Sequence, residues 1–267
     1  MITATIFSRD RAAQLDLLLR SIEWNAPDLF NGINVIWKAS NLRMERAYQL
    51  AAKEHPDPCF FKERLDFKKQ VQGVLSWSRE YACFLCDDDI IYRPVTKDMV
   101  EQIDLKSQPK TLAFSLRLGE NTGFCYPMQQ QQEQPDVERN GELRVWDWRR
   151  GQHDFGYPGS LDGHIFRRDH LRLLTRGEYG NPNQLEEKLN YACAAVIIPN
   201  LASFQQSVLV GNPINRVNDT HPNRFGEDHY RSNEELNDLY LGGKRLNPRK
   251  LDLRNINAAH REIRLVF

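Results

Sequence analysis

The sequence predicts an α/β fold with a mainly parallel central sheet flanked by helices. Two observations predict it. Between Ile2 and Leu85, short β-type apolar runs alternate four times with segments whose apolar residues recur at helical spacing. Polar clusters follow the first and fourth runs, Ser8-Arg9-Asp10 and Asp87-Asp88-Asp89, where buried strands would emerge from such a sheet. Ligands of open parallel sheets bind beyond these carboxyl ends.

Ile2 to Phe7 is the first strand. From Arg11 the spacing changes, and Leu15, Leu18, Leu19 and Ile22 fall on one helical face, closed by Pro27 and Gly32. Ile33 to Trp37 reads as a second strand, and Arg43 to Glu54 is helical in composition. Cys59-Phe60-Phe61 is a short strand. Asp66 to Ser78 is a helix with Val71, Val74 and Leu75 as its apolar stripe, and Tyr81 to Leu85 is the fourth strand. The second half is less regular. Thr111 to Leu116, Gly123 to Met128 and Leu143 to Trp148 read as strands, with Gln129 to Pro135 as an exposed glutamine-rich loop. Arg149 to Gly163, with its glycines and Tyr157-Pro158, reads as a substrate-facing loop. Helical spacing returns over His170 to Arg176 and Pro182 to Ala192, and Ala195 to Pro199 is expected to be a last strand. Beyond Val208 the chain is polar, with one amphipathic segment from Asn233 to Leu241.

A chain of 267 residues suits a single large α/β domain with a C-terminal region, and its 40% hydrophobic content supplies a core without disulfides. The 36 Lys and Arg balance 36 Asp and Glu, which argues against a whole-molecule nucleic-acid binder and against a polyacidic interaction protein. Five cysteines at irregular spacing are no disulfide framework. Cys83 and Cys86 form a C-x-x-C, but on a strand they face opposite sides, as inert buried thiols do. Arg9, Asp10 and Arg11 interrupt the N-terminal apolar stretch, and nowhere do 18 apolar residues run together. A cytoplasmic protein without a signal peptide or transmembrane segment is therefore expected.

The strongest chemical signal is Phe84-Leu85-Cys86-Asp87-Asp88-Asp89-Ile90-Ile91. Three carboxylates between apolar residues at a strand end are costly unless a cation or hydrogen-bond donors compensate them. Strand alternation would send Asp87 and Asp89 one way and Asp88 the other. An Asp triplet also serves as a turn or helix cap, but the apolar flanks favour a site for a hard divalent cation, which binds through one or two carboxylates plus phosphate oxygens.

Thr5-Ile6-Phe7-Ser8-Arg9-Asp10-Arg11, followed by Leu15, Leu18, Leu19 and Ile22, resembles the opening strand, loop and helix of family-2-type glycosyltransferases. Phe84 to Asp89 resembles their D-x-D motif. The resemblance covers residues 1–115 and implies a single GT-A (Rossmann-like) domain, a nucleotide-diphosphate-sugar donor (UDP- or GDP-sugar) and Mn2+ or Mg2+. On this resemblance, Ser8 and Arg9 line the nucleotide pocket, Asp87 approaches the ribose, Asp88 lies on the donor side and Asp89 holds the metal. Lys68 or Lys69 contacts the nucleotide or is merely a solvated helix-end lysine. The family often carries Asp near the end of the second strand to read the base. Lys38-Ala39-Ser40-Asn41 stands there instead, so Ser40 or Asn41 must substitute. The implied division is 1–115 for the nucleotide-sugar half, 116–207 for the acceptor half and 208–267 for a C-terminal loop and helix region.

If the reaction inverts the anomeric centre, a positioned carboxylate must take the acceptor's proton. Tyr157 to Arg167 resembles the acceptor-side segment of some GT-A enzymes, and within it Asp162 is the candidate base; Asp162-Gly163 is equally a turn signal. His164 is close enough in sequence to share that site. Trp146, Trp148, Phe155 and Tyr157 offer either a sugar-stacking platform or core packing. Many GT-A enzymes close a C-terminal loop carrying a metal-binding histidine over the donor. His221 fits that place, with Arg224 toward the diphosphate. The basic stretch Lys244 to Arg264 is a solvated face or an anion-attracting patch. The acceptor is a saccharide or another hydroxyl-bearing molecule. The competing readings are a nucleotidyltransferase, disfavoured because no glycine-rich phosphate loop follows the first strand, and a non-catalytic nucleotide- or carbohydrate-binding domain.

Overall fold

The computed structural model describes residues 1–217 and 224–267. In chain order the elements are β1 (Ile2–Arg9), α1 (Ala12–Asn25), β2 (Gly32–Lys38), α2 (Leu42–Glu54), β3 (Cys59–Lys62), α3 (Phe67–Trp77), β4 (Tyr81–Cys86), β5 (Asp89–Ile91), α4 (Lys97–Glu101) and β6 (Thr111–Ser115). There follow β7 (Phe124–Cys125), β8 (Gln130–Gln131), β9 (Glu138–Asn140), β10 (Leu143–Asp147), β11 (His164–Arg167), α5 (Arg168–Leu174), α6 (Pro182–Ala194), β12 (Asn200–Phe204), β13 (Leu209–Gly211) and α7 (Asn233–Leu241). Short 3-10 turns occupy Trp148–Arg150, His153–Gly156 and Pro248–Lys250.

The main sheet has nine strands in the order β3-β2-β1-β4-β11-β6-β12-β10-β9. The strands β3, β2, β1 and β4 pair in parallel, as do β6 and β12. Among the described residues, β11 and β10 run against the rest. The expected mainly parallel α/β sheet is therefore the one observed.

Period-two alternation explains how the sheet is covered on both faces. On one face Ile2, Ala4 and Ile6 of β1 and Cys83 and Leu85 of β4 meet Leu15 and Leu18 of α1, Tyr48 of α2 and Leu236 and Tyr240 of α7. On the other, Phe7 and Phe84 meet Val71 and Leu75 of α3, Leu171 of α5 and Leu185 and Leu189 of α6. Each fully buried large side chain contributes about 1.5–3 kcal/mol. The first of these clusters takes residues from all three predicted segments, Ile6, Val145 and Ile263 among them.

The sequence expectation fails in the second half for local reasons. The last central strand is Asn200–Phe204, not Ala195–Pro199: α6 continues to Ala194, and Ile197 is 91% exposed. Pro199 has no N–H to give a ladder, so pairing with β6 and β10 begins after it. Of Gly123–Met128, Phe124–Cys125 is strand. The polar C-terminal part is woven into the fold. The β13 strand pairs with β5, and Asn212 clasps Ile263 from both sides, its Oδ1 accepting from Ile263 N at 2.8 Å and its Nδ2 donating to Ile263 O at 3.1 Å. The charges of the basic stretch are dispersed: Arg245 pairs with Glu54, Arg254 with Asp252, and Arg249 lies over Trp24. Among the described residues, no helix is long and apolar enough to cross a membrane.

Candidate active site

The carboxyl ends of β1, β2 and β4 open onto a cavity of about 640 Å3. The far wall is built by the residues after β6, the loop before β11, the start of α6 and the C-terminal region. Because β11 runs against β4, its N-terminal end reaches the same edge of the sheet. The loop carrying Asp162 thus faces the aspartates that follow β4. Gly163, at φ +78°, supplies the left-handed turn there, and its N–H bonds Phe84 O at 2.9 Å.

Asp87 is buried and held by three groups. Ser8 Oγ donates to its Oδ2 at 2.8 Å, Arg9 N to the same oxygen at 3.1 Å, and Arg11 Nη1 to its Oδ1 at 3.0 Å. The Tyr48 hydroxyl lies 2.6 Å from Ser8 Oγ and accepts from Arg11 N at 3.1 Å, fixing both. Burial pushes Asp87 up to about 6 even though Arg11 pulls it down. Arg11 also reaches Asp88 Oδ2 at 3.1 Å and the backbone oxygen of Asn215, tying the aspartates to the C-terminal region.

Asp87 and Asp88 form a turn between β4 and β5. The strand alternation expected of the triplet is therefore broken, and Asp87 and Asp88 share Arg11 Nη1. Asp88 is half-buried on the cavity wall. Asp89, the expected metal ligand, is buried behind that wall at the start of β5. Its Oδ2 accepts from Cys86 N at 2.9 Å, and its Oδ1 has no partner among the described residues. Burial, reinforced by the charges of Asp162 and Asp88, holds its carboxyl well above the usual range. Cys86 itself lines the cavity rather than lying inert in the core.

On the opposite wall Asp162 Oδ2 accepts from Arg117 Nη1 at 3.1 Å and lies 3.1 Å from His260 Nε2. Arg117, 3% exposed, also donates to Ser160 Oγ at 2.6 Å and pairs with Asp154. Burial opposes the charge of Asp162, but the hydrogen bond and charge of His260, with Arg117, hold its carboxyl well below the ordinary range. Glu186, at the start of α6, accepts from Leu161 N at 3.3 Å; burial and the charge of Asp162 push it up to about 7. Asp87, Asp88, Asp154, Asp162 and Glu186 thus crowd a cavity whose buried cations are Arg11 and Arg117.

Ser8, Arg9, Asp87, Asp88, Asp162 and Arg224 line this cavity. Ser40 and Lys68 do not. Ser40 is exposed and its N–H caps Asp10 Oδ1 at 2.7 Å, while Lys68 is drawn outward by an ion pair with Glu178. The ends of β2 and β3 present Lys38 and Glu63 instead, paired at 2.6 Å. Arg224 pairs with Glu227. His221 lies outside the described residues. His164 is buried in β11, with Nδ1 3.1 Å from Pro158 O, and burial with the charge of Arg117 lowers it to about 4. Of the four aromatic residues, Trp146, Trp148 and Phe155 are buried in the core, and Tyr157 reaches the cavity.

Sequence reasoning missed Arg11, Arg117, Glu186 and His260. Arg11 was visible beside the first polar cluster, and its pairing with an aspartate 76 positions away was not. His260 lies in a tail without periodicity and arrives only because the tail threads beside β13.

No protein-family model matches the chain. The bifunctional glycosyltransferase pgtA of Dictyostelium discoideum is 26% identical over 282 residues, covering 91% of this chain; the chain spans 36% of that relative's length. Among solved structures, the chain is similar to the mannosyltransferase PcManGT from Pyrobaculum calidifontis in complex with GDP-Man and Mn2+, at 13% identity and a TM-score of 0.48, covering 81% of this chain and 58% of that one. It is also similar to S. aureus TarS 1-349, at 11% identity and a TM-score of 0.48, covering 78% of this chain and 59% of that one.

Proposed function

We propose that this chain is a metal-dependent glycosyltransferase of the GT-A type that moves a sugar from a UDP- or GDP-sugar to an acceptor hydroxyl. The observation that carries the reading is the carboxylate pair Asp87 and Asp88 at the carboxyl end of β4, facing Asp162 across one cavity, in a chain similar to a glycosyltransferase over 91% of its own length. A nucleoside diphosphate brings negative charge to a wall where Arg11 is already engaged by Asp87 and Asp88, and a divalent cation held there would compensate it.

The residues fit such a cation in a particular way. Among the described residues, no group of three or more His, Cys, Asp or Glu side chains stands close enough to form a closed metal cage. Asp88 on the wall and the unpartnered Oδ1 of Asp89 behind it offer the one or two carboxylates that Mg2+ or Mn2+ takes when phosphate oxygens and water complete its shell. The bound cation supplies charge neutralisation of the departing diphosphate. Ser8, Arg9 and Asp87, fixed by Arg11 and Tyr48, hold the nucleoside end, and Arg224 stands on the diphosphate side. Asp162 belongs to the acceptor side, where the hydroxyl proton must go.

The test is nucleoside diphosphate release from UDP-glucose, UDP-galactose, GDP-mannose and GDP-fucose with Mn2+ or Mg2+, with water and simple glycosides as acceptors. Release from one donor class is expected, with Asp88→Asn and Asp89→Asn each at least about tenfold slower. Pyrophosphate release from a nucleoside triphosphate and a sugar phosphate would favour a nucleotidyltransferase. Nucleotide binding without turnover of any donor would favour a binding domain.

A further inference from the structure

We propose that His260 is the general base of the transfer, held by Asp162 as its orienting carboxylate. The inference rests on the glycosyl-transfer reading and assigns the proton acceptor within it.

Asp162 Oδ2 is already engaged by the Arg117 guanidinium at 3.1 Å, by the Ser160 hydroxyl at 3.4 Å and by His260 Nε2 at 3.1 Å. A carboxylate so heavily compensated is a weak base, because these contacts favour its charged form. The imidazole beside it is engaged at one end. Its ring lines the cavity, and Nδ1 is buried without a hydrogen-bond partner among the described residues. With Nε2–H donated to Asp162, the lone pair of Nδ1 is the acceptor left over, as a carboxylate fixes the tautomer of its histidine in hydrolytic triads. Nδ1 is closed off in the free protein, so its hydrogen bond to the acceptor forms as the site adjusts around bound substrate.

The fold places this ring deliberately. His260 bridges Gly211 of β13, and a Cβ on Gly211 would come within 2.5 Å of the imidazole Cδ2, so glycine leaves room for the ring. Arg261 N donates to Gly211 O at 2.9 Å, and the Asn212–Ile263 clasp pins the next residues. The charged groups facing the imidazole are Asp162 before β11, Arg117 after β6, Asp154 from the 3-10 turn and Glu186 of α6. Burial favours the neutral ring and Arg117 supports that, but the hydrogen bond to Asp162, together with the charges of Asp162 and Asp154, raises its pKa above the ordinary value.

In the step, the acceptor O–H proton passes to His260 Nδ1. The oxygen electron pair forms the bond to the anomeric carbon, and the bond from that carbon to the diphosphate oxygen breaks, its electrons leaving with the nucleoside diphosphate. The imidazolium, stabilised by Asp162, then returns its proton to solvent.

The experiment follows nucleoside diphosphate release from the donor that the wild-type protein turns over, with calorimetric titration of UDP and GDP plus Mn2+ run in parallel. His260→Gln keeps a donor for Asp162 but cannot take the proton. It is expected to lower kcat at least about 100-fold, the lower end for a positioned base, with nucleotide affinity within about threefold. His260→Ala is expected to regain activity with added imidazole. Nitrogen-15 imidazole spectra of the full chain are expected to show the Nε2–H tautomer. A His260→Gln variant within about threefold of wild-type activity overturns the proposal and leaves Asp162 as the base, and an Nδ1–H tautomer overturns it too. Absence of nucleotide binding by the wild-type chain instead overturns the glycosyl-transfer reading, and the dyad with it.

Discussion

Replacing Arg117 with methionine keeps most of the side-chain volume and removes the charge. Arg117 is buried, pairs with Asp154 and Asp162, and donates to Ser160. Without it, Asp154 loses its ion-pair partner and Asp162 retains His260 and the Ser160 hydroxyl. Breaking a buried pair by removing one partner costs about 3–5 kcal/mol, because it strands buried charge. For a domain of this size each kcal/mol moves Tm by roughly 2–4 °C, so a fall of roughly 6–20 °C is expected for Arg117→Met. The assay is thermal unfolding followed by circular dichroism at pH 7.5 and pH 5. The deficit should shrink at the lower pH, since Asp162 without Arg117 accepts a proton more readily. A fall of less than about 2 °C, equal at both pH values, would refute the reasoning that Arg117 compensates these carboxylates.

The group at Glu186 makes the metal-free protein pH-sensitive. Its folded value of about 7 lies above its ordinary 4.5, so its favourable contribution is fully present below about 4.5 and is lost as pH rises through about 7. Glu186→Gln should therefore flatten the urea midpoint against pH across that window and raise stability at pH 8; an unchanged slope would contradict this. Glu262 accepts from the backbone N–H groups of Glu227, Asp228 and His229 at 2.8–2.9 Å and from the Tyr126 hydroxyl. Charged hydrogen bonds of this kind contribute about 1.5–3 kcal/mol, so Glu262→Ala should cost about 2–3 kcal/mol in denaturant unfolding and speed amide exchange at 227–229.

The parts legible in the sequence are those governed by local pattern. Strands β1 to β4 and helices α1 to α3 follow from alternating and helical periodicity, and the aspartate triplet announces itself by sitting between Cys86 and Ile90. The partners of those aspartates and of Asp162 were not legible, because Arg11 meets Asp87 and Asp88, and Arg117 and His260 meet Asp162, through long-range packing that no local spacing encodes. The inward position of Asp89 has a specific cause: the turn at Asp87-Asp88 resets the alternation and places the third carboxylate behind the cavity wall. The strand lies at Asn200–Phe204 because α6 runs on to Ala194 and Pro199 has no N–H for the ladder, although Ala195 to Pro199 has strand-like composition. In the C-terminal region, short apolar contacts such as Ile256, Ile263 and Leu265 carry the chain into the core without any period to reveal it.

The central claim is that the carboxylates after β4 hold a cation shared with a nucleoside diphosphate. Calorimetric titration of UDP and GDP into the protein, with Mn2+ and again with a chelator, tests it most directly. One nucleotide should bind at least about tenfold more tightly with Mn2+, and Asp89→Asn should abolish that difference. Binding of equal strength with and without the metal, or a metal dependence that survives Asp89→Asn, would contradict the account.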